Sequence, residues 1–234
     1  MRIRLDIAYV GTHFVGWQRQ SRGRTVQQTL EHILSQIYGC PILVAGAGRT
    51  DAGVHAVGQI AHFDAPKSRH GPADMAHILN KLLPADLAVL GSRKVPEGFH
   101  ARKSAVRRTY LYRILTSPRP DPFRAPFVWH CPRAAAFDIG RMRRTAKKWI
   151  GTRDFSAFAI RISENENTRR HMEKIDIQKI RDEIRLTFTA DAFLHRMVRR
   201  MVAVLSDVGA GKPALKPSYA APASGLCLLK VSYR

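Results

Sequence analysis

The chain opens with apolar and polar residues alternating at a period of two, and this pattern restricts its fold more than any other. Ile3, Leu5, Ile7 and Tyr9 fall on one face and Arg2, Arg4 and Asp6 on the other, as in a strand buried on one side. In the following stretch Val26, Leu30, Ile33, Leu34 and Ile37 share a helical face, with Thr25 suited to cap the start and Gly39 to end it. Short strands are predicted at 42–45 and 58–63, a helix at 73–83 and a strand at 87–90. The second half repeats this rhythm: a strand at 107–115, a basic amphipathic helix from Asp138 through Met142, Ala146, Trp149 and Ile150, and a hairpin of 172–179 and 183–190 turning at Arg181, Asp182 and Glu183. A helix follows at 192–208, carrying Phe193, Leu194, Met197, Val198, Met201, Val202 and Leu205, and then a strand at 226–231. Strand–helix–strand–strand–helix, twice over, predicts an α+β fold of two similar halves joined near residues 100–106. The proline-rich SPRPDPFRAPF (117–127) reads as a loop.

A chain of 234 residues is long enough for one large domain or two small ones sharing a core. Its 45% hydrophobic content suits a globular protein and excludes a disordered one. No apolar run approaches the ~20 residues of a membrane span, and MRIRLDIAYV lacks a signal-peptide core. A soluble protein, cytoplasmic by default, is expected. Charge says more. Lys plus Arg number 39 against 18 Asp plus Glu, a formal net charge of +21. Such an imbalance repels itself and calls for a polyanionic partner. The basic residues are dispersed (Arg22, Arg24, Lys67, Arg69, Arg102, Lys103, Arg107, Arg108, Arg141, Arg143, Arg144, Lys147, Lys148) rather than gathered in a tail, which fits a folded surface following a phosphate backbone. Cys40, Cys131 and Cys227 are odd in number and far apart, and the ten histidines show no metal-ligand spacing, so neither a disulfide framework nor a metal site is indicated.

The densest chemical signal is AGAGRTDAGVHAVGQIAHF (45–63). Glycines flank a Thr–Asp pair between two strands. Such a loop can bring backbone close to a ligand, reach positive φ and project a carboxylate into a cleft; it can equally be a tight turn in which Asp51 makes a local Asx hydrogen bond. Arg49, two positions away, could hold a phosphate or pair with Asp51.

GRTDAGVHA (48–56) resembles the signature of the tRNA pseudouridine synthase A family, whose aspartate in that string is catalytic. YVGTHFVGWQRQ (9–20), TVQQTLE (25–31), FHARKSAVRRTYLYRI (99–114), DFSAF (154–158), ADAFLHRMVRR (190–200) and APASGLCLLKVSYR (221–234) continue the resemblance in family order. It implies two similar RRM/ferredoxin-like halves, 1–103 carrying the aspartate loop and 104–234 carrying an active-site tyrosine and arginine, in a continuous, mainly antiparallel sheet flanked by helices with the active-site cleft between them. It further implies a homodimer that isomerises uridine at positions 38–40 of the tRNA anticodon arm, without cofactor or metal. Residue by residue, Asp51 matches the catalytic aspartate, Tyr110 the tyrosine that packs against the target base, and Arg199 the arginine that pairs with the aspartate. Arg49 matches the residue linked to turning the nucleotide out of the stack. Phe99, His100, Ala101, Arg102 and Lys103, together with Arg69, fall where the family contacts tRNA.

The chemistry suits these residue types. Pseudouridine formation breaks N1–C1′, turns the uracil and joins C5 to C1′; a carboxylate can attack C1′ or take the C2′ proton if a glycal forms. An aromatic face holds the detached base, since base–aromatic stacking is worth ~1–3 kcal/mol, and a stacked uracil must be extruded to be reached. Two departures stand out. Val10 occupies the place of an acid in the family's opening motif, and 208–225 is shorter than usual and lacks a helix common there. A compact, basic variant of this kind is expected to bind with a steep salt dependence. Two other readings compete: a catalytically silent RNA-binding paralogue on the same fold, and a metal-dependent nuclease using Asp51 with His55 and His62, which lacks a second clustered carboxylate.

Overall fold

A computed structural model describes residues 1–66, 70–162 and 167–234. In chain order the elements are β1 (Arg2–Tyr9), α1 (Val26–Tyr38), β2 (Ala45–Gly46), β3 (His55–Asp64), α2 (Met75–Asn80), β4 (Leu87–Lys94), β5 (Ala105–Leu115), β6 (Trp129–His130), α3 (Ile139–Lys147), β7 (Gly151–Asp154), β8 (Arg169–Ile180), β9 (Glu183–Ala190), α4 (Met197–Gly209) and β10 (Leu226–Tyr233), with short 3-10 turns between them. The fold is α+β, as the periodicities predict, and its strands are mainly antiparallel, as the resemblance implies. The chain divides into two compact units, Met1–Val106 with Leu228–Arg234, and Arg107–Cys227.

In the first unit the strands run in the order β4-β1-β3-β10. The opening alternation is realised: Ile3, Leu5, Ile7 and Tyr9 are buried and the residues between them half-buried. α1 lays Val26, Leu30, Ile33 and Leu34 into the core, each such side chain contributing roughly 1.5–3 kcal/mol by leaving water. Thr25 caps the helix by accepting the Gln28 N–H, and Gly39 ends it in the left-handed conformation. Of the strand expected at 42–45 only Ala45 pairs, with His62, and Gly46 beyond it pairs with Ala61. The reason lies in Glu31, which is buried on α1 and accepts the Val44 N–H at 3.0 Å, so a side chain takes the bond a neighbouring strand would have made.

In the second unit the order is β5-β9-β8-β7, with β6 parallel to the end of β5. The β8–β9 hairpin pairs Ile180 with Glu183 across Arg181 and Asp182, and Arg181 takes the left-handed backbone (φ 54°) that so short a turn demands. Asp138 caps α3 by accepting the Arg141 N–H. α3 stops at Lys147, so Trp149 and Ile150 lie beyond the helix expected to include them; Trp149 packs edge-on against Phe158 at 5.0 Å. α4 starts at Met197, five residues later than its apolar pattern suggests, because Arg196 adopts φ 60° and interrupts helical geometry. α4 is largely buried, with Arg199, Arg200 and Asp207 left half-buried. At the far end of β9 the buried Glu183 carboxylate accepts from Arg113 and Arg185 (2.6 and 3.0 Å), while Arg124 ties the 117–127 loop to Asp182 at 2.6 Å.

Candidate active site

The loop before β3 is held by backbone rather than by its own turn alone. Trp17 N–H donates to Thr50 O (3.1 Å), Gly53 N–H to Phe14 O (3.2 Å) and Ala47 N–H to Ile60 O (2.7 Å), so the 14–17 segment and β3 grip it from two sides. Two glycines make that grip possible. A Cβ on Gly11 would stand 2.0 Å from Val54 O, and one on Gly16, itself at φ 103°, would stand 2.7 Å from Thr50 O. Within the loop the sequence expectation of positive φ holds at Gly53 (φ 78°), and Gly46 makes room for the Trp17 ring; nothing in the structure explains Gly48.

Asp51 is half-buried at the exposed side of this loop, between buried Thr50 and exposed Ala52. Its carbonyl accepts Val54 N–H at 3.2 Å. Arg49 is exposed, and its Nε donates to Gln18 at 3.0 Å. His55 and His62, the candidate ligands of a nuclease, serve the backbone instead: Nδ1 of His55 accepts Gly11 N–H (3.0 Å) and Nδ1 of His62 accepts Ala101 N–H (3.2 Å). Among the described residues no cluster of three His, Cys, Asp or Glu is arranged to hold a metal ion.

The 99–103 segment is a tight turn fixed at its centre. Ala101 is fully buried, its N–H on His62 and its carbonyl accepting Tyr233 Oη–H at 2.7 Å. Arg2 donates to Phe99 O at 2.8 Å, Phe99 stacks obliquely on Tyr233 at 5.0 Å, and His100 meets His62 at 4.8 Å. Burial, then the nearby Arg2 and His100, push the His62 imidazole down to about 4, so it remains a neutral acceptor. Arg102 and Lys103 emerge exposed from this anchor. Arg69 lies outside the described residues.

In the second unit Tyr110 stands on β5 opposite Phe188, 7% exposed, with Phe193 against its ring edge-on at 5.1 Å. Sequence reasoning placed Phe193 on a helical face; it belongs instead to the irregular stretch before α4. Arg199, half-buried on α4, gives its Nε to Ala221 O (2.7 Å), and Ala221 N–H returns a bond to Arg199 O (3.1 Å). With Arg200 donating to Pro217 O at 2.7 Å, α4 holds the helix-free 210–222 stretch directly. At the other departure, Val10 offers its N–H to Asp86 O (2.9 Å), and the Asp86 carboxylate pairs with Arg24.

The family profile described as tRNA pseudouridine synthase matches residues 7–102 and 145–218. The chain belongs to the tRNA pseudouridine synthase family. Among its relatives, a tRNA pseudouridine synthase A of Picosynechococcus sp. is 38% identical over 99% of this chain and 89% of its own length. The corresponding protein of Halalkalibacterium halodurans is 44% identical over 90% and 80%, and that of Paramagnetospirillum magneticum 40% identical over 99% and 95%. One solved structure, "Crystal Structure of a Cbf5-Nop10-Gar1 Complex", matches 97% of this chain and 48% of that chain at 10% identity with a TM-score of 0.41, too distant to bear on this family member. No helix among its described residues is long and apolar enough to cross a membrane.

Proposed function

We propose that the chain isomerises uridine to pseudouridine at positions 38–40 of the tRNA anticodon arm, with Asp51 as the reacting carboxylate. The observation that carries the reading is Asp51 itself: a half-buried carboxylate on a loop pinned at Ala47, Thr50 and Gly53, in a chain of this family. The bond changes are an exchange within one nucleotide. N1–C1′ breaks, C5–C1′ forms, the C5 hydrogen leaves to solvent and N1 gains a proton, so no redox group or donor enters the balance. The carboxylate either adds to C1′ and is displaced, or removes the C2′ proton and returns it.

Tyr110 offers an aromatic face for the loosened uracil, its ring set by Phe193. Arg199 supplies positive charge for the carboxylate, the role that the family resemblance implies. Arg49 assists extrusion of the nucleotide, and Arg102 and Lys103 take phosphates beside it. The family resemblance extends the reading to a homodimer in the cytoplasm; sedimentation velocity tests the dimer.

The decisive assay uses tRNA tritiated at uridine C5, in EDTA. Tritium release that disappears in Asp51→Ala, with tRNA still bound, supports the proposal. Binding without release from the wild-type protein would identify an RNA-binding paralogue, and strand cleavage restored by Mg²⁺ a nuclease; either refutes it.

A further inference from the structure

Behind the Asp51 loop lies a set of buried polar side chains that the isomerisation chemistry leaves unused. Tyr9 is 4% exposed, Thr50 7% and Gln59 0%. Tyr9 Oη and Thr50 Oγ1 are 2.8 Å apart, Gln59 Nε2 donates to Gly48 O at 2.9 Å, and the same Nε2 lies 3.5 Å from Tyr9 Oη. Gln59 Oε1 accepts Ile60 N–H at 3.2 Å. The Tyr9 ring is itself wedged between Phe14 and Trp17, 6.3 and 6.4 Å away.

We propose that Tyr9, Thr50 and Gln59 are positioning residues that fix Asp51 in its reacting position through the loop backbone. The proposal rests on the reading of Asp51 as the catalytic carboxylate. Phenylalanine at 9, valine at 50 and leucine at 59 would fill much the same space and bury no polar atom, so packing alone does not call for these residues. What the polar set adds is direction. Apolar contacts tolerate sliding, whereas a hydrogen bond weakens steeply when its angle or length departs from ideal. Gln59 holds the carbonyl three residues before Asp51, and the Tyr9 hydroxyl holds the side chain immediately before it. Thr50 is buried, whereas its neighbours Arg49 and Asp51 are exposed and half-buried. Buried networks rigidify when every member is satisfied, and catalytic groups need placement within about half an ångström. A misplacement of about 1 Å can cost on the order of 100-fold in rate.

The test separates placement from folding and from tRNA binding. Thr50→Val removes the hydroxyl and keeps the shape, Tyr9→Phe removes only the phenol oxygen, and Thr50→Ser keeps the hydroxyl. Single-turnover tritium release is measured beside tRNA affinity by filter binding and beside thermal melts. We expect Thr50→Val and Tyr9→Phe each to slow release roughly 10–100-fold, with tRNA Kd within about threefold of wild type. Thr50→Ser should stay near the wild-type rate, and the Tyr9→Phe/Thr50→Val double variant should be no slower than Tyr9→Phe alone, since the Tyr9–Thr50 bond lost in Thr50→Val is already lost in Tyr9→Phe. Wild-type release by both single variants would overturn the proposal. So would an affinity loss that accounts for the slowing, or a Thr50→Ser as slow as Thr50→Val. Should Thr50→Val fail to fold, Tyr9→Phe and Thr50→Ser decide. Asp51→Asn is run alongside: full activity there would sink the reading of Asp51, whereas an inactive Asp51→Asn with a fully active Thr50→Val and Tyr9→Phe sinks only the positioning role.

Discussion

Acidification should loosen the first unit through one imidazole. His62 is buried, accepts the Ala101 N–H and is held down to about 4, with burial as the main cause. In the unfolded chain the same ring titrates near its ordinary ~6.5. Above about 6.5 neither state carries the proton, and the full stability is present. As pH falls below that value the unfolded chain gains a proton that the folded ring refuses until about 4, so stability declines across that window. Between pH 7.5 and pH 5.0 these two values differ in proton binding by about 2 kcal/mol. A variant isolates the contribution of this one ring. His62→Asn retains an acceptor near the position of Nδ1 and does not titrate. Urea unfolding at both pH values should show wild type losing about 2 kcal/mol more than His62→Asn over that interval. NMR of the ring protons should find no titration of His62 above pH 5. Equal pH slopes for the two proteins, or a His62 that titrates near 6.5, would refute the reasoning.

Three further outcomes are expected. Glu183→Gln should destabilise the second unit by about 2–3 kcal/mol in urea melts, because it leaves Arg113 and Arg185 facing each other without the anion. Burial raises that carboxyl, but the hydrogen bonds from Arg113 and Arg185 outweigh it and hold it below the ordinary range, so this contribution exists above about 4.5 and fades on acidification. Gly11→Ala should cost about 3 kcal/mol by thermal melting, since its Cβ meets the Val54 carbonyl, a backbone atom that no rotamer change can move. Phe193→Leu should lower tritium release several-fold with tRNA affinity intact, because it removes the edge-on contact that orients Tyr110, a pair worth ~0.5–1.5 kcal/mol; unchanged release would show that β5 alone orients the ring.

Much of this was legible in the residues. β1, α1 with both its caps, the Asp138 cap and the β8–β9 hairpin follow from local rules of alternation and of a hydroxyl or carboxylate before an apolar helix, though Glu183, expected at the hairpin's turn, pairs within β9. What escaped depends on atoms distant in the chain. Glu31 looks like a solvent-facing helix position until Arg19 and Val44 close over it. The late start of α4 follows from one arginine in a left-handed conformation, which apolar spacing cannot signal. At the candidate site, Asp51, Tyr110 and Arg199 came from motif resemblance, whereas Tyr9 and Thr50 lay inside quoted motifs without any sign that they meet. Gln59 did leave a trace: a lone amide just before Ile60 and Ala61, at a position the strand buries completely. A buried amide needs partners, and that demand points back to Gly48 and Tyr9.

The first compact unit includes Leu228–Arg234, with Gly58 shaped to admit the Leu229 carbonyl and Tyr233 tying down Ala101. A ribosome therefore delivers the opening hundred residues long before it delivers the strand that finishes them. During translation the nascent β3 edge must wait, without its partner strand, while the whole second unit is made, so the order of synthesis and the order of completion are opposed in this protein.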